Sequence, residues 1–308
     1  MEFSHKPVLL EPCLVDLNIQ PSGIYVDGTT GGAGHSLEIA KRLQSGKLYA
    51  FDQDPDAVTV ASKRLKDYHA VVLQDNFRNI KENLNARGVF QVDGILLDLG
   101  VSSFQLDNPQ RGFSYLHNGK LDMRMSKSGL SAYDIVNQWP LEKLNRILRD
   151  YGEERYSRSI ATNIVLAREK EPISTTKQLA QIIADSMPMK MRREKNPSKR
   201  SFQAIRIAVN GELESLQKGL CDGFSILKPG GRLAVITFHS IEDRMVKQYF
   251  AKLCQGCTCP PDFPICICGK TPKAKLIHKK PVTADSKELN ENRRSRSAKL
   301  RTIEKIAY

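Results

Sequence analysis

Tyr25-Val-Asp-Gly-Thr-Thr-Gly-Gly-Ala-Gly-His-Ser36 decides how this chain is read, because an apolar run ends at Asp27 and breaks into a loop with glycines at 28, 31, 32 and 34. The pattern predicts a strand, a tight turn and a helix start. Glycine has no Cβ, so glycines at this density let the backbone take φ > 0 and let a ligand lie directly on the main chain. A Gly-rich turn without a ligand fits the same residues, and the flanking sequence has to separate the two readings.

Working outward, Ile24 to Val26 reads as the first strand and Gly34 to Leu43 as a helix. Leu48 to Phe51, ending at Asp52, Ala70 to Leu73, and Val92 to Leu97, ending at Asp98, read as three more strands. Helices at Asp56 to Leu65, opened by Pro55, and at Ile80 to Ala86 lie between them. Near-continuous apolar strands alternating with helices of about ten residues specify a parallel sheet covered on both faces. The expected fold is therefore α/β and doubly wound, with a Rossmann-like sheet.

The alternation stops after Ser103. From there to Arg200 the patterns are helical: Leu144, Ile147, Leu148 and Tyr151 share one helix face, and a Thr175-x-x-Gln178 capping box precedes Leu179, Ile182 and Ile183. Phe202, Ile205, Val209, Leu213, Leu216 and Leu220 then repeat at helical spacing, Leu233 to Phe238 is a fifth strand, and Ile241 to Leu253 a helix. Lys275 to Lys280 and Leu300 to Ile306 are candidates for two further strands. Residues 1–104 and 201–308 thus form one discontinuous domain, and 105–200 an inserted all-helical domain.

The chain has 47 Lys and Arg against 34 Asp and Glu, a net charge of +13, which points to a polyanionic partner such as nucleic acid. No apolar run approaches the ~20 residues that a bilayer demands, so no membrane role and a cytoplasmic location are expected. Five of the seven cysteines crowd between Cys254 and Cys268, unlike a secreted disulfide framework.

In an open α/β sheet the ligand sits beyond the carboxyl ends of the strands. Three of these strands end in Asp27, Asp52 and Asp98. Asp52 follows Gly34 at nearly the spacing at which an acidic residue accepts hydrogen bonds from ribose hydroxyls. A dinucleotide is disfavoured: Leu37 stands where Gly-x-Gly-x-x-Gly places its third glycine, and phosphates would enter among carboxylates. S-adenosylmethionine carries a sulfonium and an ammonium and no phosphate, so acidic strand ends suit it. A nicotinamide dehydrogenase is the rival enzyme class. A non-catalytic RNA-binding protein would explain the charge but leave the acidic strand ends without a purpose.

Longer stretches carry a resemblance. Asp27-Gly-Thr-Thr-Gly-Gly-Ala-Gly-His-Ser36, Gly94-Ile-Leu-Leu-Asp-Leu-Gly-Val-Ser-Ser103, Gln105-Leu-Asp107, Arg111-Gly-Phe-Ser114, Leu121-Asp-Met-Arg-Met125, Tyr151-Gly-Glu-Glu154 and Arg200-Ser-Phe-Gln-Ala-Ile-Arg-Ile-Ala-Val-Asn210 resemble the bacterial small-subunit ribosomal RNA cytosine-N4 methyltransferases, the MraW or RsmH family. Leu227-Lys-Pro-Gly-Gly-Arg-Leu233, Phe238-His-Ser-Ile-Glu-Asp-Arg244 and Asn292-Arg-Arg-Ser-Arg-Ser-Ala-Lys-Leu-Arg301 extend the match over nearly the whole chain. The resemblance implies a class I methyltransferase domain with a helical, substrate-recognising insertion. It implies S-adenosylmethionine as cofactor, 16S rRNA of the small ribosomal subunit as partner, and N4 methylation of a cytosine in the decoding region. It places cofactor contacts on Ala33, Gly34, His35, Asp52, Phe77, Asp98 and Gln105. The chain departs from the family pattern at Ala33, where glycine is frequent, at Pro12, where Glu is common, and at Asn196, where His is usual before Pro197.

A cytosine amine is a poor nucleophile because its lone pair is delocalised into the ring. Accepting its N–H hydrogen bonds localises that pair, and Asp98 is the candidate acceptor. Amino methyltransferases often follow this acceptor with two prolines and an aromatic. Asp98-Leu-Gly-Val-Ser-Ser103 has neither, so Phe104 or Phe113 is the candidate stacking partner. His239 is a second candidate for proton handling, weighed against a purely structural role. Lys190 to Arg200 and Arg293 to Arg301 are candidate phosphate contacts, or else a solvated basic surface. Cys254-x-x-Cys257-x-Cys259 and Cys266-x-Cys268 fit either a structural zinc site or reduced thiols on a Pro-rich loop. A monomer and a homodimer are both open.

Overall fold

The computed structural model describes residues 7–192, 196–259 and 267–307. Seven strands among them form one sheet: β1 (Ile24–Asp27), β2 (Lys47–Asp52), β3 (Ala70–Gln74), β4 (Val92–Asp98), β5 (Leu227–Thr237), β6 (Ala274–Leu276) and β7 (Lys299–Lys305). Their order is β3-β2-β1-β4-β5-β7-β6. The first five are parallel, while β7 runs antiparallel to both β5 and β6. This is the doubly wound class I methyltransferase order. It reverses direction between β1 and β4, which opens a crevice beyond Asp27 and Asp98.

Alternation along the strands sends successive side chains to opposite faces. Val26, Tyr49, Phe51, Ile95, Leu97 and Val235 join one apolar cluster; Tyr25, Leu48, Ala50, Leu96, Ala234 and Ile236 join another. Helices α1 (Leu10–Leu17), α2 (Gly34–Ala40) and α3 (Pro55–Arg64) cover the second face through Leu14, Leu17, Ile39 and Ala61. On the first face, α4 (Ile80–Asn85) contributes Ile80 and Leu84. Helix α1 occupies a segment the sequence left unassigned. Pro12 lies in its first turn, where a missing N–H costs nothing.

Residues 101–213 form a separate compact unit; residues 1–100 and 214–308 form the sheet unit. The inserted unit is helical: α5 (Ser103–Asp107), α6 (Ala132–Gln138), α7 (Leu141–Gly152), α8 (Ser157–Arg168), α9 (Thr176–Asp185), α10 (Met189–Arg192) and α11 (Lys199–Asn210). Its own core includes Leu144, Leu148, Ile160, Ile164, Leu179 and Ile183. The single periodic run from Phe202 to Leu220 is two helices, because Gly211 turns the backbone to φ +57 between α11 and α12 (Glu212–Ile226). Phe202, Ala204 and Ile205 are buried in the insertion's core, so the boundary lies after Leu213 and not at Arg200. Leu216, Leu220 and Phe224 of α12 pack on the sheet with Val246 and Phe250 of α13 (Ser240–Cys254). A last helix, α14 (Ser286–Glu291), precedes β7.

Candidate active site at the strand ends

The Gly-rich loop is held from both ends. Asp27, 1% exposed, accepts the Thr29 N–H at 3.0 Å and the Ser36 hydroxyl at 2.6 Å, tying the end of β1 to the first turn of α2. Burial raises its carboxyl to about 6 against these hydrogen bonds. Asp27 is therefore the loop's internal brace. The Thr29 hydroxyl accepts the Asp98 N–H at 2.6 Å and links the loop to β4.

Asp52 closes the loop from the other side. Its carboxylate accepts the Gly31 N–H at 2.7 Å and the Asp54 N–H at 2.8 Å, one on each oxygen. Burial, with those two bonds opposing, pushes it up to about 6. Each oxygen keeps acceptor capacity for a further donor, as a ribose-binding carboxylate must.

Asp98 has the least satisfied side chain of the group. Its Oδ1 is buried with no hydrogen-bond partner among the described residues, and its Oδ2 lies 3.7 Å from Nδ1 of His35. Burial, then the charges of Asp27 and Glu242, raise its carboxyl well above the ordinary range. His35 cannot relieve it. Its Nε2 lies 3.0 Å from the Val8 carbonyl, which only accepts, so the proton of the neutral ring sits there and Nδ1 shows Asp98 a lone pair. Burial lowers this imidazole to about 4, so the ring is neutral at pH 7. With Asp98 ionised two acceptors face each other, which is part of what holds its proton on, and no described Lys or Arg forms an ion pair with Asp27 or Asp98. Such a constellation favours a ligand that brings N–H donors or positive charge, and it disfavours phosphate.

Ala33 caps α2 in the left-handed region at φ 62 and is fully buried. At Gly34 any Cβ would collide with the Pro7 ring, so packing alone demands glycine there. Phe77 follows β3, and its ring packs so closely on Gly219 of α12 that no side chain fits at that glycine. Gln105 belongs to the inserted unit, where it is 4% exposed and completes a capping box with Ser102, accepting the Ser102 N–H at 3.0 Å. His239 caps α13: its Nδ1 accepts the Glu242 N–H at 3.4 Å and its Nε2 lies 3.1 Å from Glu242 Oε1. Both ring nitrogens therefore face Glu242, which is 2% exposed and also accepts the Phe238 N–H at 3.0 Å.

Glu242 was not singled out from sequence, although His239-x-x-Glu242 has the spacing of a capping box, as Ser102-x-x-Gln105 has. Gln53 was missed too. Its Oε1 accepts from the Asn76 amide at 3.0 Å, so the residues after Asp52 and before Phe77 meet across the ends of β2 and β3.

The candidate phosphate segments are thinned by internal pairing. Arg301 and Lys299 both bind Asp243, at 2.7 and 3.0 Å. Arg192 donates to the Met187 carbonyl at 2.9 Å and pairs with Asp185 at 3.2 Å. Lys190, Lys199, Arg293 and Arg296 remain exposed; Arg193 and Lys195 lie outside the described residues. No helix among the described residues is long and apolar enough to cross a membrane.

Comparison with known proteins adds the lineage. Residues 2–306 match the model of the MraW methylase family. The chain is 51% identical over 311 residues to the ribosomal RNA small subunit methyltransferase H of Carboxydothermus hydrogenoformans, with 100% of both chains covered. To the methyltransferase H of Ruminiclostridium cellulolyticum it is 54% identical over 313 residues, covering 99% of this chain and 100% of that one. Among solved structures, an rRNA methylase from Streptococcus thermophilus is similar at TM-score 0.43 and 12% identity, covering 99% of this chain and 100% of that one. The N-methyltransferase NodS of Bradyrhizobium japonicum is similar at TM-score 0.42 and 10% identity, covering 97% and 93%.

Proposed function

Because the chain belongs to the MraW methylase family, as a methyltransferase that uses S-adenosylmethionine, we propose that it methylates the exocyclic N4 amine of a cytosine in the decoding region of 16S rRNA. Its full-length likeness to small-subunit rRNA methyltransferases supports ribosomal RNA as the substrate. The observation that carries the amine chemistry is the buried, unpartnered Oδ1 of Asp98 at the end of β4.

Bound at the strand ends, S-adenosylmethionine supplies an electrophilic methyl group on a sulfonium. Asp52 has acceptor capacity for ribose hydroxyls, and Asp27 braces the glycine loop against the first turn of α2. Asp98 accepts an N–H of the target amine through Oδ1, which holds the nitrogen in line and localises its lone pair. His35, neutral and held by the Val8 carbonyl, sets the orientation of its Nδ1 toward Asp98 without adding a competing positive charge. His239 caps α13 through Nδ1, while its buried Nε2 has no hydrogen-bond partner among the described residues, so His239 stands beside Asp98 as a second proton-handling group in this reading. The cofactor set in this reading comprises Ala33, Gly34, His35, Asp52, Phe77, Asp98 and Gln105, and the helical unit of residues 101–213 serves as the substrate-recognition part.

The test is methyl transfer from labelled cofactor to undermethylated small subunits, followed by nucleoside analysis. Label in N4-methylcytidine is the expected result, and label in any other nucleoside overturns the reading. Asp98→Asn should lower kcat by about 10²-fold or more, the usual scale for a lost acid–base group. Full turnover in that variant would remove Asp98 from the chemistry.

A further inference from the structure

Three sulfurs converge far from this chemistry in sequence. The Sγ atoms of Cys257, Cys259 and Cys268 lie within 4.8 Å of one another, with those of Cys257 and Cys268 3.6 Å apart. They sit in the segment between α13 and β6, whose base is closed by the Lys273 N–H donating to the Leu253 carbonyl at 2.7 Å. We propose that Cys257, Cys259 and Cys268 form a thiolate site for a zinc-type divalent cation, which cross-links Cys257 and Cys259 to Cys268 independently of methyl transfer.

Four ligands at about 2.3 Å on tetrahedral corners stand about 3.8 Å apart, and the 3.6 Å separation of Cys257 and Cys268 matches one edge of that figure. A disulfide would bring two sulfurs to about 2 Å and leave the third thiol over. The backbone adds a second, independent signal. The Thr258 N–H donates to the Cys268 sulfur at 3.4 Å, and the Cys259 N–H to the Cys257 sulfur at 3.4 Å. Main-chain donors aimed at sulfur stabilise thiolate, the form that binds metal, and act as the outer shell that orients such ligands. The ammonium of Lys270 lies 3.1 Å from the hydroxyl of Thr258, the residue between Cys257 and Cys259. Zinc is preferred over harder ions because all three donors are sulfur.

Cys254 is a different kind of thiol. It ends α13, packs against the sheet's apolar cluster and has its pKa raised by burial, so it keeps its proton. Cys266 lies outside the described residues, and the site is defined without it.

The test uses the full chain, expressed with zinc and purified under reducing conditions without chelator. Metal analysis should give about one equivalent of zinc per chain. Cys257→Ser, Cys259→Ser and Cys268→Ser should each cut the retained metal severalfold, while Cys254→Ser keeps it. Cobalt added to the stripped wild-type protein should give an intense thiolate-to-cobalt band in the near ultraviolet, a readout that holds even where a variant fails to fold. Wild-type protein that folds without metal, gives no such band and exposes all three thiols to a thiol reagent overturns the proposal. Retention of zinc in Cys268→Ser at the wild-type level overturns it equally. Methyl transfer is unchanged as a criterion, since the strand-end site stands or falls separately.

Discussion

Burial keeps the Asp27 carboxyl protonated up to about pH 6, whereas an unfolded chain releases that proton near 3.8. The folded state therefore binds the proton more tightly, and the stability this group contributes is complete below about pH 4 and lost as pH rises through about 6. A rise of two units corresponds to about 3 kcal/mol. Asp27→Asn, which keeps the acceptor for Thr29, should match wild type near pH 4 and gain on it by about 2–3 kcal/mol by pH 7. Denaturant melts at the two pH values measure this, and a difference that does not change with pH would show that Asp27 titrates normally. Asp52 is shifted in the same sense by the same cause. The strand-end acids thus lower the stability of the free protein at neutral pH.

At the scale of elements, the loop's last glycine and the helix after it make a sharp case. Gly34 opens α2 directly under Pro7, and a methyl group there meets a stiff ring that has little room to give. Gly34→Ala should cost about 1–3 kcal/mol of stability in protein free of cofactor, measured by thermal or urea unfolding. A glycine kept only for ligand approach would show no such loss without ligand. Much of this architecture was legible beforehand, because the strands of the first half are apolar runs, three of them stopping at an Asp, and short helices fill the gaps. What escaped was dictated by contacts distant in sequence or by single dihedral angles. Helix α1 has Pro12 inside its first turn, and the left-handed Gly211 cuts a periodic run that otherwise reads as continuous. Gln105 and His239 stood out for their chemistry, yet each sits three residues from a partner in a capping box, a spacing present in the sequence. The orphaned oxygen of Asp98 was not readable at all, since it depends on what the folded chain fails to place beside it.

For the whole molecule the surplus of +13 indicates a polyanion, but composition does not say which cations are available. Lys299 and Arg301 are committed to Asp243, while Arg293 and Arg296 are exposed. Replacing Arg293 and Arg296 together by Gln should weaken RNA binding and reduce the slope of log affinity against log salt by about 1–2. Filter binding over a salt series measures it, and an unchanged slope would leave those two arginines as ordinary solvated surface.

The split sheet also sets an order of assembly. Strand β4 leaves the sheet at Asp98, and its neighbour β5 begins only at Leu227, with the helical unit encoded in between. During synthesis one edge of β4 therefore waits, hydrogen-bond groups unpaired, while the insertion emerges and forms its largely local contacts. Strand β5 in turn waits for β7. A nascent chain that stalls within the insertion carries an open, strongly apolar strand edge, which makes ribosome pausing there an aggregation hazard that the finished protein no longer shows.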